Sequence, residues 1–208
     1  MASSLQSRKQ QLVRDAIYDA AIELFAAKGF DETTVEEVAA AAGISRRSFF
    51  RYFESKDDLL AQNVVNYGKA LVAGVEACPA SFSSIEVVRA TVVAGAKYAA
   101  TQPRTRQTIE IAAKSASARQ AHQSRLIEVE DSLAHAFAAR TRNEPKEGMK
   151  PRLLASLTLL IMNRAIMSWF RNEHHDLSAA YRQVFAQLTR ILSDPLTTKS
   201  ISRSASLR

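Results

Sequence analysis

Gly43-Ile44-Ser45-Arg46-Arg47-Ser48-Phe49-Phe50-Arg51-Tyr52-Phe53 is the stretch whose reading decides the fold. Gly43 stops one helical pattern, because glycine adopts left-handed backbone without a Cβ penalty. Ile44 is the hydrophobic plug of the turn, and Ser45 is a good N-cap for a new helix. Arg46, Arg47 and Arg51 then follow, interleaved with Phe49, Phe50, Tyr52 and Phe53. Few tasks call for that mixture. One of them is binding a phosphate backbone while probing a groove.

Working outward, Thr33 and Thr34 stand before Glu36 and Glu37 at capping-box spacing, so a helix is expected to begin there. It carries Val35, Val38, Ala39 and Ala42 on one face and ends at Gly43. Two short helices joined by a glycine turn make a helix-turn-helix. Upstream, Arg8 to Lys28 reads as a helix, with Val13, Ile17, Ala20, Ala21, Leu24 and Phe25 at three- and four-residue intervals. Gly29 is its stop. Downstream, Ser55 is placed to cap a fourth helix whose first turn holds Asp57 and Asp58, favoured by the helix dipole. That helix runs to about Ala77, and Pro79 ends it.

Further helical patterns fill Ser84 to Thr101, Arg104 to about Ala118, and Arg119 to Arg142, the last two possible as one. Asn143 to Met149 reads as a loop. Pro151 opens a helix at a favoured first position, reaching about Asn172. Its residues Leu153, Leu154, Leu157, Leu159, Leu160, Ile161 and Met162 are apolar nearly all round, which predicts burial on several sides. Asp176 or Leu177 starts the last helix, where Leu177, Tyr181, Val184, Leu188 and Ile191 form a seam for helix packing. Thr197 to Arg208 lacks apolar periodicity and is read as a disordered tail. The expected fold is all-α, with about nine helices. A helix-turn-helix domain covers 8–55, a larger helical domain 56–193, and a tail 194–208.

Composition excludes several classes. Six glycines and five prolines in 208 residues cannot punctuate a many-stranded sheet. Cys78 is the only cysteine, so no disulfide framework or thiolate metal cluster is expected. Met1 to Lys9 lacks the apolar core of a signal peptide. The apolar run Leu157 to Met162 is far shorter than a membrane span and precedes Asn163 and Arg164, so no membrane partner and a cytoplasmic location are expected. His122, His135, His174 and His175 show no metal-ligand spacing, Cys78 has no recognisable base partner, and there is no glycine-rich phosphate loop. No enzyme activity, metal or cofactor is expected.

The net charge of +7 does not by itself argue for nucleic acid. Residues 1–60 hold eight Lys/Arg and ten Asp/Glu. The local signal is stronger, since residues 44–56 set Arg46, Arg47, Arg51 and Lys56 against Glu54 alone. Side chains at the start of a recognition helix enter the major groove. Arg46 and Arg47 are there, and arginine suits bidentate contact with guanine O6 and N7. Ser45 caps that helix, and Ser48 can donate to a base edge or phosphate. Phe50 is offset from the Phe49/Phe53 core face and can touch a thymine methyl or sugar. Tyr52, Lys56 and Thr34 are placed for phosphates. A merely solvated basic face is the plain alternative.

Thr33-Thr34-Val35-Glu36-Glu37-Val38-Ala39, Ala42-Gly43-Ile44-Ser45 and Phe49-Phe50-Arg51-Tyr52-Phe53-Glu54-Ser55-Lys56-Asp57-Asp58-Leu59-Leu60 resemble the DNA-binding signature of TetR-family transcriptional regulators. Phe25, Gly29 and Phe30 fit the same signature. The resemblance spans about residues 10 to 60. It implies an all-helical homodimer that binds a palindromic double-stranded DNA operator through its first three helices. The larger part would bind a small-molecule effector and dimerise through the last two long helices. Phe50 departs from the family, in which many members have tyrosine there. The wording from Ser45 to Phe53 also resembles a subgroup that senses acyl-CoA-like or other hydrophobic ligands. The resemblance implies a cavity among residues 84–171. Candidates to line it are Tyr98, Glu110, Phe137, Asn163, Met167 and Trp169, with Asn163 and Arg164 singled out because they interrupt an apolar run and need partners if buried. A helical homodimeric adaptor or ligand-binding protein without sequence-specific DNA binding is the alternative, and it has no use for Arg46 and Arg47.

Overall fold

The computed structural model describes residues 2–140, 148–171, 173 and 176–193. Among them every regular element is an α-helix: α1 (Ala2–Lys28), α2 (Val35–Ala41), α3 (Arg46–Phe49), α4 (Lys56–Glu76), α5 (Ser84–Thr101), α6 (Thr105–Lys114), α7 (Ala116–Arg140), α8 (Met149–Phe170) and α9 (Leu177–Leu192). The expected all-α architecture of nine helices is thus present among the described residues. The expected tail, most of the 143–149 loop, and His174 and His175 lie outside them.

The chain divides into two compact units. One comprises Met1–Lys69 with Thr101–Ser132, the other Ala70–Ala100 with Leu133–Arg208. The helix-turn-helix segment 8–55 lies in the first unit, which also takes in α6 and the first part of α7. The reason is visible in its core. Ile17, Ile22, Phe25, Phe30, Val38, Phe49, Phe53, Leu59 and Leu60 are buried together with Ile111 of α6 and Ala118 of α7. Polar contacts repeat the link. Arg104, just before α6, donates to Asp19 at 3.0 Å and to Glu23 at 2.8 Å on α1. Tyr18 and Thr108 share a hydrogen bond of 3.2 Å. The Asp19 and Glu23 side chains are both more than half exposed on α1.

Local chemistry sets the boundaries. At the end of α2, Gly43 takes φ +69°, and the N–H groups of Gly43 and Ile44 donate to the carbonyls of Ala40 and Ala39. That is a Schellman closure, which satisfies two carbonyls the helix leaves open. Ser55 Oγ accepts from the Asp58 N–H at 3.0 Å, while the Asp58 carboxylate accepts from the Glu54 N–H. Asp176 caps α9 through the Ala179 N–H. Ser115 separates α6 from α7. Its backbone is extended, its hydroxyl accepts from the Ala118 N–H at 3.1 Å, and it donates to Asp31 at 2.8 Å. A continuous α6–α7 helix is therefore ruled out, because Ser115 caps the second helix while anchoring the α1–α2 loop. α1 begins six residues earlier than Arg8, and α8 begins at Met149 rather than Pro151.

In the second unit α8 packs on α9. The expectation that α8 is buried on several sides does not hold within one chain. Ala155, Thr158, Ile161, Met162 and Ala165 face inward, but Leu153 is 60% and Leu160 50% exposed. Leu154, Leu157 and Leu159 are half-buried between these two sides. By length and composition, 22 residues with an 18-residue stretch at a mean hydropathy of 1.5, α8 is long and apolar enough to cross a membrane. Lys150, Arg152 and Arg164 lie along the same helix. At α9, Leu177 and Tyr181 of the expected seam are buried, whereas Ile191 is exposed.

Candidate nucleic-acid interface

The α2–turn–α3 segment builds the interface. Thr34 is the N-cap of α2: its hydroxyl accepts from the Glu37 N–H at 3.2 Å, and its own N–H donates to the Glu37 carboxylate at 2.9 Å. Thr33 instead turns inward and donates to the Gly29 carbonyl at 2.7 Å. Lys28 bridges to the other Glu37 oxygen. Lys28, followed by the Thr34 bonds, holds the Glu37 carboxyl down at about 2. Helix α2 is thereby tied to the end of α1.

α3 itself is a single turn, Arg46–Phe49, extended by non-helical turns through Tyr52. Ser45 caps it, accepting from the Ser48 N–H at 3.1 Å and donating to Ser48 Oγ at 3.0 Å. Phe49 and Phe53 are fully buried and pack at 5.9 Å between centroids. Their anchoring turns the opposite side outward, and Arg46, Arg47, Phe50 and Arg51 are all exposed there. Arg47 makes no ion pair among the described residues. Arg46 forms an ion pair with Glu36, its Nε 2.8 Å from the carboxylate, with its guanidinium 5.3 Å from the Phe50 ring centre. Arg51 stacks 5.0 Å from the Tyr52 ring, with its guanidinium 3.4 Å from the Tyr52 hydroxyl.

Two sets of neighbours carry structural weight that the sequence does not announce. Arg14 of α1 donates to the Tyr52 carbonyl at 2.8 Å and to Gln62, and lies 4.4 Å from the Phe53 ring centre. It clamps α1 to the end of the α3 segment and to α4. Lys56, expected at a phosphate, is engaged within the chain. Its ammonium donates to the carbonyls of Phe30, Asp31 and Thr33 at 2.8, 3.2 and 3.3 Å, and rests on the Phe30 ring at 4.6 Å. An ammonium has three protons, and these three carbonyls take them all. Asp31 beside it is lowered by its bonds to Ser115 and Ser117 first, and by Lys56 last.

Family models match this chain over both of its parts. The model of "Bacterial regulatory proteins, tetR family" matches residues 17–62, and that of the "MftR C-terminal domain" matches residues 82–193, more than half of the chain. The chain belongs to the TetR family. It is thus a DNA-binding, helix-turn-helix transcriptional regulator. TcmR of Streptomyces glaucescens, an HTH-type transcriptional regulator, is 27% identical over 189 residues, covering 84% of this chain and 80% of TcmR. The fold is shared with NalD of Pseudomonas aeruginosa, the secondary repressor of the MexAB-OprM multidrug efflux pump. Its TM-score is 0.60 at 19% identity, over 88% of this chain and 96% of NalD. FadR of Bacillus subtilis, solved in complex with stearoyl-CoA, superposes at a TM-score of 0.58 and 19% identity, over 83% and 96% of the two chains.

The effector candidates of this TetR-family chain fall in both units. Tyr98, Phe137, Asn163, Met167 and Trp169 belong to the second unit, whereas Glu110 belongs to the first. Phe137 is buried core, and burial raises the Tyr98 phenol. Glu110 lies 3.7 Å from Arg106 across one turn of α6. It lines a hollow of about 340 Å³ with Phe25, Lys28, Asp31 and Lys114. Asn163 and Arg164 are exposed, so the reasoning from buried polar groups fails for them. A second, open hollow of about 450 Å³ runs along α5 beside Phe82, Arg89, Val93 and Lys97.

Proposed function

We propose that this regulator is a homodimeric repressor that holds a palindromic operator through two copies of the α3 segment and releases it when an effector binds. The observation that carries the reading is the outward side of α3. Arg47 is exposed with no ion pair among the described residues, and Arg46, Ser48 and Phe50 surround it on a base fixed by buried Phe49 and Phe53. In this reading Arg46, Arg47 and Ser48 reach base edges, and Phe50 touches a thymine methyl or sugar. Ser45, Arg51, Tyr52 and Thr34 serve the phosphates, which position rather than specify. Lys56 acts indirectly, by holding the loop before α2.

Dimerisation through α8 and α9 accounts for Leu153, Leu160, Ile191 and Leu192, each at least half exposed in one chain. A second copy offers the same apolar groups in return. This use of α8 fits a cytoplasmic regulator and leaves no part for a membrane. The effector class, hydrophobic or acyl-CoA-like, rests on the fold shared with the stearoyl-CoA complex and on analogy. Such a ligand acts only through its differential affinity for two arrangements of the dimer.

Selection from a random duplex pool tests the reading. The expected product is an inverted repeat whose half-site centres lie about 34–36 Å apart, or a multiple of that. A pool that yields no enriched sequence overturns it in favour of an adaptor.

A further inference from the structure

Glu36 stands at the second position of α2, where its charge suits the helix dipole but takes no part in the cap. The carboxylate that completes the cap belongs to Glu37. Glu36 projects from the α2 surface and receives Arg46 Nε at 2.8 Å. Phe50 supplies a ring 5.3 Å from the same guanidinium. The Glu36 and Arg46 side chains are 59% and 65% exposed, and pairs so exposed add little to stability. Stability therefore does not explain the pair. Its location does, because it joins α2 to the first residue of α3 on the side where Arg47 is exposed.

We propose that Glu36 is a specificity-determining residue that withholds Arg46 from generic phosphate contacts and holds it for a base edge. This rests on the reading of α3 as the DNA-reading segment. On duplex of any sequence, the phosphates compete for Arg46 against a carboxylate already in place. A phosphate contact must break that pair, whereas at a base edge Arg46 can keep Nε beside Glu36 and offer its two Nη groups. On the operator, a guanine offers Arg46 two acceptors in one plane, a fit a phosphate in random register lacks. The ring of Phe50 keeps the guanidinium plane in place during the exchange. Non-specific binding is thus suppressed more than specific binding, and the net acidic composition of residues 1–60 acts in the same direction. Arg47, without such a partner, stays available for phosphates and bases alike.

The test compares the full-length wild type with E36Q, R46A and the E36Q/R46A double variant. The probes are the duplex enriched from the random pool and a scrambled duplex of equal length, titrated across salt concentration. E36Q keeps side-chain size and removes the charge. It is expected to tighten scrambled-duplex binding by about three- to tenfold and steepen its salt slope by about one, the change that one additional phosphate neutralised by Arg46 produces. Binding to the enriched duplex should change by less than about twofold, so that the preference between duplexes falls. In the R46A background the E36Q effect should vanish. Equal tightening on both duplexes, no change on either, or an E36Q effect that persists without Arg46 each overturns the proposal. Thermal melts of the four proteins should agree to within about 4 °C, since E36Q loses only the small dipole contribution of a first-turn acid. A wild type that enriches no sequence overturns the reading of α3 and this proposal together, whereas an enriched sequence with an inert E36Q overturns this proposal alone.

Discussion

On the α2–α3 surface the exposed groups are Arg46, Arg47, Arg51, Thr34 and Glu36, with Phe50 alone among the large apolar residues. Along α8 and α9 they are Leu153, Leu160, Ile191 and Leu192. Both surfaces await a partner, but their chemistry differs. The first presents donors that water satisfies well, so it can stay open in the free protein and exchange water for phosphate oxygens. The second presents hydrocarbon, which burial stabilises by about 25 cal/mol per Å². In the proposed dimer a second copy covers that surface. The contrast separates a reversible polar contact from a lasting apolar one.

Leu160→Glu challenges the contrast most strongly. It should leave a helical, folded chain, because the site is on the outward side of α8, yet sedimentation should show monomers instead of dimers. Dimers at unchanged affinity would mean that the apolar surface has another use. Next comes the core beneath the DNA side. Phe49→Ala should cost about 3–5 kcal/mol in denaturant melts, and operator binding should fall with the folded fraction. A loss of binding in a fully stable protein would instead assign Phe49 to the contact itself.

Lys56→Met refines the division within the first unit. It keeps apolar cover on Phe30 and removes the three donors, so a stability loss of about 1–2 kcal/mol is expected, with the salt slope of DNA binding unchanged. A flatter slope at unchanged stability would restore Lys56 as a phosphate contact. The smallest effect concerns acid. Glu37 is held at about 2 against an ordinary 4.5. Since the folded value is the lower, its contribution is complete above about pH 4.5 and is lost as pH falls toward 2. The difference in melting temperature between wild type and Glu37→Gln should shrink over that window, and a constant difference would contradict the assignment.

The first surface is legible in the sequence because its signals are local. A cap, a left-handed glycine and a four-residue aromatic spacing are written within a few residues, and Gly43, Ser45, Phe49 and Phe53 behave as their spacing requires. What is hidden depends on distance along the chain. Arg14 falls on the polar face of its helix, yet it reaches Tyr52 and Gln62. Lys56 has the look of a free cation, but the three carbonyls that hold it lie 23 to 26 residues upstream. Ser115 is a cap residue in the middle of a helical pattern, and Asp31, 84 residues away, completes its role. In the second unit, periodicity identifies which residues are apolar but not which side of α8 a single chain buries. Asn163 shows the consequence, because its place in an apolar run says nothing of the direction it faces.

Everything said of DNA reading depends on Arg47 touching bases from the outward side of α3. Fluorescence anisotropy of Arg47→Ala against wild type, on the enriched and the scrambled duplex at matched salt, addresses that contact alone. The variant's preference for the enriched duplex should fall by about 1–3 kcal/mol, with folding intact. An undiminished preference would mean that Arg47 does not read the operator.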